Sequence, residues 1–473
     1  MTYEKGKTKL AIVGAGPGGY AAAFYAADLG LEVTLIDVEK NPGGVCLYRG
    51  CIPSKALLHA SKVVTEAGEA SRFGIDFGKP KIDPAKLQAW KEGVVGKLTG
   101  GLGQLVKQRK VAYIQGRASF IDSTTLKVFK EGGGDLHLAF DHCILATGSR
   151  PSVLFDEPLD SPHLLNSTDA LALNEIPKNM LVIGGGYIGL ELGTVYATLG
   201  TRVSLVELSP GYLPGVDRDL VLPLARRLEK LFADVRFNTK VVKMRKAAAG
   251  VEVEVEGPIG KKKETYEKVL MAVGRKPNTS GLGLDTTKVE LDEKGFVKVD
   301  AARRSADPAL FAIGDITGEP MLAHKASHEA RAAVDTIAGK KGAFEPQAIP
   351  AVVFTDPEIA WCGLTEEKAK KDGKKVEVAR FPWAASGRAL TLDRPEGVTK
   401  LIIDPESERL LGVGICGAGA GELISEGVLA IEMGATASDL KFSIHPHPTL
   451  SETLMEAAET FFGQATHVYK PKR

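Results

Sequence analysis

Two cysteines five residues apart, Cys46 and Cys51, stand in the segment GGVCLYRGCIPSK, which runs from Gly43 to Lys55. Gly50 precedes the second cysteine. Cys51 and Pro53 open a run through Ala56, Leu57 and His59 that reads as a helix, and proline is tolerated in its first turn. A sulfur at a helix N-terminus sits in positive potential, which favours the thiolate. Because the thiolate both attacks and leaves in disulfide exchange, this placement suits a redox pair. Two other readings stand beside it. The cysteines are reduced core thiols, or they are half of a zinc site completed by His445 and His447. Cys-x4-Cys is wide for a structural zinc site and HPH is an odd second half. The redox pair therefore ranks first and zinc last, and no metal site is expected.

A second candidate lies in IHPHPTLSE, Ile444 to Glu452. Here two histidines flanked by prolines form a rigid extended segment ahead of a helix. Thr449 and Glu452 fit a capping box, which explains the glutamate without any chemistry. The alternative is that Glu452 orients the His447 imidazole as general base for a substrate thiol. The cysteine pair favours that alternative, since oxidising a dithiol needs a proton acceptor.

These residues must be positioned by something, and the glycines show what. Of 473 residues 53 are glycine, above the usual ~7%. The excess sits partly in an internal repeat. LAIVGAGPGGYAAAFYAADLGLEVTLID begins at Leu10, and LVIGGGYIGLELGTVYATLGTRVSLVE begins at Leu181. Gly14, Gly16, Gly19, Gly30 and Asp37 return 170 residues later as Gly184, Gly186, Gly189, Gly200 and Glu207. Each copy reads strand, tight turn, helix, strand. In this unit the first glycine permits the turn, the second lets backbone approach a pyrophosphate, and the third lets helix meet strand. The helix N-terminus supplies unpaired N–H groups to phosphate. Asp37 and Glu207 are each placed to accept from an adenosine ribose. A carboxylate at Glu207 opposes a 2′-phosphate, and no Lys or Arg lies between Leu208 and Asp217. The second site is therefore expected to prefer NAD over NADP.

Both copies close alike, CILATG ending at Gly148 and VLMAVG ending at Gly274, and the first is 44 residues longer. The cysteine segment lies within that extra length. Alternating stretches at Leu126–Phe140 and Val251–Val273 predict antiparallel meanders. After Ala348, strand-like runs at Ala351–Phe354, Val376–Ala379, Val398–Ile403 and Leu411–Cys416 precede helical patterns at Gly421–Met433 and Ser451–Phe462. That order predicts a separate α+β unit. The fold expected is α/β, with two Rossmann-like doubly wound nucleotide-binding domains carrying inserted meanders, plus a C-terminal α+β interface domain. The expected boundaries are 1–150 and 277–347 for the two parts of the first domain, 151–276 for the second, and 348–473 for the interface domain.

Composition excludes other classes. Lys and Arg number 60 against 59 Asp and Glu, so there is no basic footprint for nucleic acid. Five cysteines are too few for a secreted disulfide scaffold. The N-terminus shows no signal or transit segment. Leu10 to Ala27 is long and uncharged enough to suggest a membrane span, but its glycines and Pro17 favour strand, turn and helix. A cytoplasmic chain without a membrane association is expected.

With both glycine motifs, the cysteine pair and the terminal histidine in order, the sequence resembles the flavin disulfide reductase family from about Leu10 to Phe462. The resemblance implies FAD at the first site and NAD at the second. It implies a redox disulfide in which Cys46 is attacked by substrate and Cys51 lies beside the flavin. Lys55 would pair with Glu191 near the flavin. Asp315, in LFAIGD, would meet the ribityl chain, followed by the flavin-contacting turn Met321, Leu322, Ala323 and His324. Tyr187 resembles an aromatic gate over the nicotinamide. His447, partnered by Glu452, would reach the other subunit's disulfide in a homodimer. The implied activity is oxidation of protein-bound dihydrolipoamide with NAD as acceptor. The implied partners are lipoyl domains and the core of a 2-oxo-acid dehydrogenase complex, or the glycine cleavage system. The alternatives are another NAD(P)H-dependent disulfide or metal reductase, or a non-catalytic nucleotide- or zinc-binding subunit. The sequence departs from the family pattern at Tyr48, where asparagine is usual, and at Asp37, where glutamate is usual. Tyr48 and Arg49 are placed to reshape substrate access.

Overall fold

A computed structural model of the chain describes residues 4–155 and 159–469. Three short stretches (1–3, 156–158 and 470–473) fall outside it, among them the outer ends of the first and last expected domains. The first copy of the repeat is β1 (Glu4–Val13), α1 (Pro17–Asp28) and β2 (Val33–Asp37). Then come α2 (Gly44–Arg49), α3 (Cys51–Glu69) and α4 (Pro84–Gln108), which account for the extra length of this copy. The strands β3 (Ala112–Asp122), β4 (Thr125–Lys130) and β5 (Asp135–Leu145) follow. Parallel pairings join β3 to β2, β2 to β1 and β1 to β5. The second half of β3 and the first half of β5 flank β4 in an antiparallel meander, while β5 stays paired with β1 along its length. Chain order reverses on either side of β1, and the crevice beyond the carboxyl ends of such strands is where ligands bind.

The second unit contains β6 (Ser149–Pro151), β7 (Leu164–Leu165), α5 (Ser167–Ala172), β8 (Asn179–Ile183), α6 (Tyr187–Thr198), β9 (Arg202–Val206), α7 (Arg218–Leu231) and β10 (Asp234–Arg236). The meander β11 (Lys240–Ala247), β12 (Gly250–Gly257) and β13 (Gly260–Tyr266) leads to β14 (Lys268–Met271). The parallel sheet runs β10-β9-β8-β14-β7. A two-stranded ribbon of β6 and β15 (Arg275–Pro277) joins the two units. The chain then returns to the first sheet, where β16 (Leu310–Ala312) pairs with β5 and α8 (Ala323–Ile337) covers it. Alanines of α1 (Ala22, Ala23, Ala26) meet Ala330 and Ala333 of α8 in one buried layer. Leu10 to Ala27 is strand, loop and helix, and among the described residues no helix is long and apolar enough to cross a membrane.

The last unit is an antiparallel sheet of β17 (Ala351–Val353), β18 (Glu358–Gly363), β19 (Glu377–Pro382), β20 (Val398–Ile403) and β21 (Leu410–Gly417), in the order β17-β18-β21-β20-β19. Its helices are α9 (Glu366–Lys371), α10 (Gly387–Thr391), α11 (Ala420–Glu432), α12 (Ala437–Phe442) and α13 (Glu452–Phe461). Strand β18 is absent from the sequence reading. Its residues EIAWCG follow Asp356-Pro357 and show no clean alternation, because the strand is paired on both edges and none of its residues is exposed.

One ionic node fixes the second unit to the last. Lys400 of β20 is 1% exposed, and its Nζ lies 2.6 Å from Asp217, 2.7 Å from Asp219 and 2.8 Å from Glu366. Those three carboxylates are the one group among the described residues close enough to hold a metal, and the ammonium already fills it. Removing one member of such a set leaves buried charge uncompensated. Lys400→Met is expected to lose about 3–5 kcal/mol of stability, read by denaturant unfolding. Burial pushes the Asp219 carboxyl up, but hydrogen bonds and charge from Lys400 and Arg380 carry it below its ordinary 3.8. Its contribution is therefore present above that pH and is lost as acid titrates the folded-state carboxylate.

Candidate active site

The cysteine segment is held against the first glycine loop. Gly44 has φ +58°, and a Cβ there would stand 2.5 Å from the Gly16 Cα, so only glycine lets α2 approach the loop this closely. Gly50 ends α2, and Cys51 begins the 19-residue helix α3. Both sulfurs are thiols within hydrogen-bonding reach of each other. A hydrogen bond from Cys46 is the main reason the Cys51 thiol is lowered to about 7, and the Lys55 ammonium adds to it against the cost of burial. Cys46 moves the other way, raised by that same bond and by burial. The pair thus settles as a Cys51 thiolate accepting from a Cys46 thiol. The other three cysteines are buried core thiols, and burial raises Cys362 to about 12.

Lys55 sits one helical turn past Cys51. Its Nζ donates to Glu191 Oε2 at 2.9 Å and lies 4.4 Å from the Phe354 ring centre. Glu191, 3% exposed, also accepts from the Phe354 backbone N–H at 3.0 Å. The lysine of the first unit, the glutamate of the second and the backbone of the third therefore meet behind the sulfurs. In Lys55→Met the charge that favours the Cys51 thiolate is lost. Thiol alkylation, followed against pH, is expected to titrate at a higher pH than the parent's value near 7, towards the ordinary 9.0.

The sulfurs open into a cavity of about 770 Å³. Of the sequence-predicted residues, Gly14, Gly16, Asp37, Cys46, Cys51, Lys55, Gly148, Tyr187, Glu191, Asp315, Met321 and Ala323 line it. Gly19 lies beneath the wall, where a Cβ would strike the Gly14 carbonyl at 1.8 Å. Gly14 itself has φ +101°, and a Cβ would stand 2.3 Å from the Ala146 carbonyl. Such a bare-backbone cradle at the start of α1, with a long cleft beyond, fits a dinucleotide. Asp37 accepts from Ala15 N–H at 2.6 Å and Glu39 N–H at 2.9 Å. Burial raises its carboxyl above the usual range, and these two bonds counter only part of that. The acid therefore braces the loop as well as facing the ribose position.

The second copy repeats this geometry outside the cavity. Gly184 has φ +111° and would meet the Ala272 carbonyl at 2.4 Å, and a Gly189 Cβ would meet the Gly184 carbonyl at 2.1 Å. Glu207 accepts from Gly185 N–H at 2.6 Å and Ser209 N–H at 2.7 Å. Gly186 precedes α6, and Gly274, with φ +110°, follows β14. Tyr187, the first residue of α6, lines the cavity wall between the two glycine loops.

Two predicted contacts differ. Leu322 and His324 are not on the cavity wall. Leu322 is the N-cap residue of α8, and the His324 ring nitrogen Nε2 donates to the Pro350 carbonyl at 2.8 Å. Leu322 has extended backbone just before the helix, where successive side chains point to opposite sides, so Met321 and Ala323 line the cavity and Leu322 does not. Other residues escaped the sequence reading. Arg275 Nε donates to Ser149 Oγ at 2.7 Å, and Ser149 donates to the Asp315 carboxylate. Fully buried Glu329 accepts from the Gly314 N–H at 2.6 Å and pairs with Arg303 and Lys325, each at 3.0 Å. It fixes the turn that carries Asp315. The only sequence hint was that Ser149 and Arg275 each directly follow a closing glycine.

The histidine segment lies elsewhere on the chain. Among the described residues, none beyond Ala326 lines the cavity. His445 Nε2 bonds Glu426 at 2.8 Å and its Nδ1 bonds the Ser443 carbonyl at 2.9 Å. Both its ring nitrogens are thus engaged. His447 Nδ1 donates to Glu452 Oε1 at 2.8 Å, which leaves Nε2 open on a side chain that is 72% exposed. The expected capping box is only half made. Helix α13 begins at Glu452 itself, whose Oε2 accepts from Thr449 N–H at 2.7 Å, while Thr449 Oγ1 donates to the Pro446 carbonyl. Burial raises the Glu452 carboxyl, but the Thr449 bond and His447 outweigh it and hold the group ionised. Among the described residues, no metal-sized group combines these histidines with the cysteines of the same chain. Around His447, Leu429, Met433, Phe442 and Ile444 expose apolar side chains, a surface of the kind that a partner covers.

Comparison with known proteins gives the following. Residues 8–330 match the family model described as pyridine nucleotide-disulphide oxidoreductase, and residues 349–458 match the dimerisation domain of that family. The chain is 46% identical over 466 residues to a dihydrolipoyl dehydrogenase of Haemophilus influenzae, covering 98% of this chain and 97% of the relative. It is 47% identical over 462 residues to one from Thermus scotoductus, covering 97% and 98%. Among solved structures, LpdA from Mycobacterium tuberculosis superposes with a TM-score of 0.89 at 27% identity, covering 96% of this chain and 99% of that one. The Cu(II) complex of the HOCl-induced flavoprotein disulfide reductase RclA from Escherichia coli gives 0.84 at 27%, with the same coverage.

Proposed function

The chain belongs to the pyridine nucleotide-disulphide oxidoreductase family, and from that premise we propose that it is a dihydrolipoyl dehydrogenase that oxidises protein-bound dihydrolipoamide with NAD as acceptor. One observation carries the reading most. A cysteine pair polarised into thiol and thiolate opens into the same cleft as a dinucleotide cradle. Family membership implies a flavin and a pyridine nucleotide. The Gly14–Gly19 loop with Asp37, Met321, Ala323 and Asp315 would hold FAD, and the Gly184–Gly189 loop with Glu207 would hold NAD. Bound flavin supplies a two-electron acceptor between the sulfurs and the nicotinamide.

The chain's own residues do the thiol chemistry. His447 Nε2 takes the proton of one substrate thiol, and Glu452 steadies the resulting imidazolium. The substrate thiolate attacks Cys46 Sγ in the Cys46–Cys51 disulfide. That bond breaks, and Cys51 leaves as a thiolate favoured by Lys55 and the start of α3. The second substrate thiol loses its proton to solvent, and its thiolate displaces Cys46, closing the lipoyl ring and leaving a reduced pair of the kind seen here. His447 returns its proton to the Cys46 sulfur. Since His447 lies off its own chain's cleft, the histidine is supplied by the second subunit of a homodimer, a state supported by the dimerisation domain and the exposed apolar rim. The substrate arm belongs to lipoyl domains of a 2-oxo-acid dehydrogenase complex or the glycine cleavage system.

Steady-state assays of dihydrolipoamide with NAD and with NADP test the reading. Turnover with NAD at least about tenfold faster than with NADP is expected from Glu207, because a buried-rim carboxylate facing a phosphate costs more than 1.4 kcal/mol. No lipoamide-linked turnover with either nucleotide would contradict it.

A further inference from the structure

Part of the cleft takes no part in this chemistry. Its wall carries two acids on the segment leaving β2, Asp37 and Glu39. Asp37 is satisfied by backbone N–H groups. Glu39 is instead ion-paired with Arg49, the last residue of α2, and both side chains line the cavity. Neighbouring bonds fasten the same segment. Tyr48 donates to the Asn41 carbonyl at 3.0 Å, and Tyr113 donates to the Glu39 carbonyl at 2.8 Å. Tyr48 and Arg49 therefore engage residues 39–41.

The charge around this part of the cleft is informative. A dinucleotide whose ribose meets Asp37 brings its dianionic diphosphate to the start of α1. Two carboxylates on that wall oppose it. Of the other cations lining the cavity, Lys55 is held by Glu191, Arg275 by Ser149 and Arg150 by the Pro277 carbonyl at 2.8 Å, while Arg117 is an exposed side chain on β3. Arg49 is the guanidinium that is ion-paired with one of these acids. A guanidinium has five N–H donors in a rigid fork, so engaging one edge with Glu39 leaves others for a ligand oxygen.

We propose that Arg49, braced by Glu39, is a binding residue for the adenosine–diphosphate half of the first dinucleotide and sets how long FAD stays bound. The proposal rests on reading the cleft as the FAD site. The parent's flavin content is therefore measured first: a parent without flavin defeats that reading, whereas a flavin-loaded parent leaves this proposal to be judged alone.

The test is FAD release from the purified full-length holoprotein, followed by the fluorescence of freed flavin, with far-UV circular dichroism recorded in parallel. Arg49→Ala is expected to release FAD about tenfold faster than the parent while the dichroism signal is unchanged, the loss expected of a charge-assisted bidentate contact. Arg49→Lys, which keeps the charge but not the fork, should fall in between. Release from Arg49→Ala within about twofold of the parent overturns the proposal. So does faster release that only keeps step with loss of helical signal, since a merely structural role would give that. Should the alanine variant not fold, Arg49→Lys decides by the same criteria.

Discussion

Cys51→Ser is expected to lower dihydrolipoamide oxidation by at least about 10⁴-fold while leaving flavin bound, as loss of a nucleophilic or leaving sulfur does in other covalent mechanisms. The serine cannot close the disulfide, and its hydroxyl does not ionise at the pH where Cys51 does, about 7. Cys46→Ser should be as inactive but spectroscopically different. It keeps the Cys51 sulfur, the Lys55 charge and the helix start. A thiolate-to-flavin absorption should therefore grow in as pH rises through the Cys51 transition, and should never appear in Cys51→Ser. If both variants behaved alike, the unequal roles of the two sulfurs would be wrong. The asymmetry follows from position, since Cys51 begins α3 one turn before Lys55, whereas Cys46 lies inside the short helix α2.

His447→Gln is expected to slow dithiol oxidation by roughly 10³-fold, within the range for a lost general base. Glutamine still reaches Glu452 but accepts no proton. Flavin reduction by NADH involves no substrate thiol and should change less than about threefold. Equal loss in both half-reactions would remove the base assignment. Where the base acts can be tested separately by mixing two inactive variants. In a hybrid dimer of Cys46→Ser and His447→Gln chains, a base acting across the interface leaves one site with intact sulfurs and an intact histidine. Random reassortment should then restore about one quarter of the parent activity, because half the dimers are hybrids with one good site of two. A base acting within its own chain restores none.

Much of this was legible in the sequence because it is written locally. The strand–glycine–helix–acid unit has fixed internal spacing, and both copies fold with the same positive-φ glycines and the same loop-bracing acid. The Cys51 environment was readable for a similar reason, since a helix start and a lysine one turn later are neighbours in the chain. What escaped is non-local. Ser149, Arg275 and Asp315 converge from three segments, and Glu329 reaches back across a turn that it stabilises. The Lys400 node joins residues more than 180 apart, from Asp217 to Lys400. No periodicity announces such contacts, since a buried lysine in a strand looks like any exposed one until its partners are known. The Thr449–Glu452 capping box was half right for a related reason. The motif is local, but the helix starts later than its pattern suggests, and that shift frees one glutamate oxygen for His447.

The most direct test is an anaerobic titration of the purified, flavin-loaded protein with dihydrolipoamide, followed by absorption. Two electrons per subunit should produce a long-wavelength band before the flavin bleaches, as the reduced sulfurs present a thiolate to it. A flavin that bleaches in step with added dithiol and shows no such band, or a protein that never binds flavin, would contradict the account.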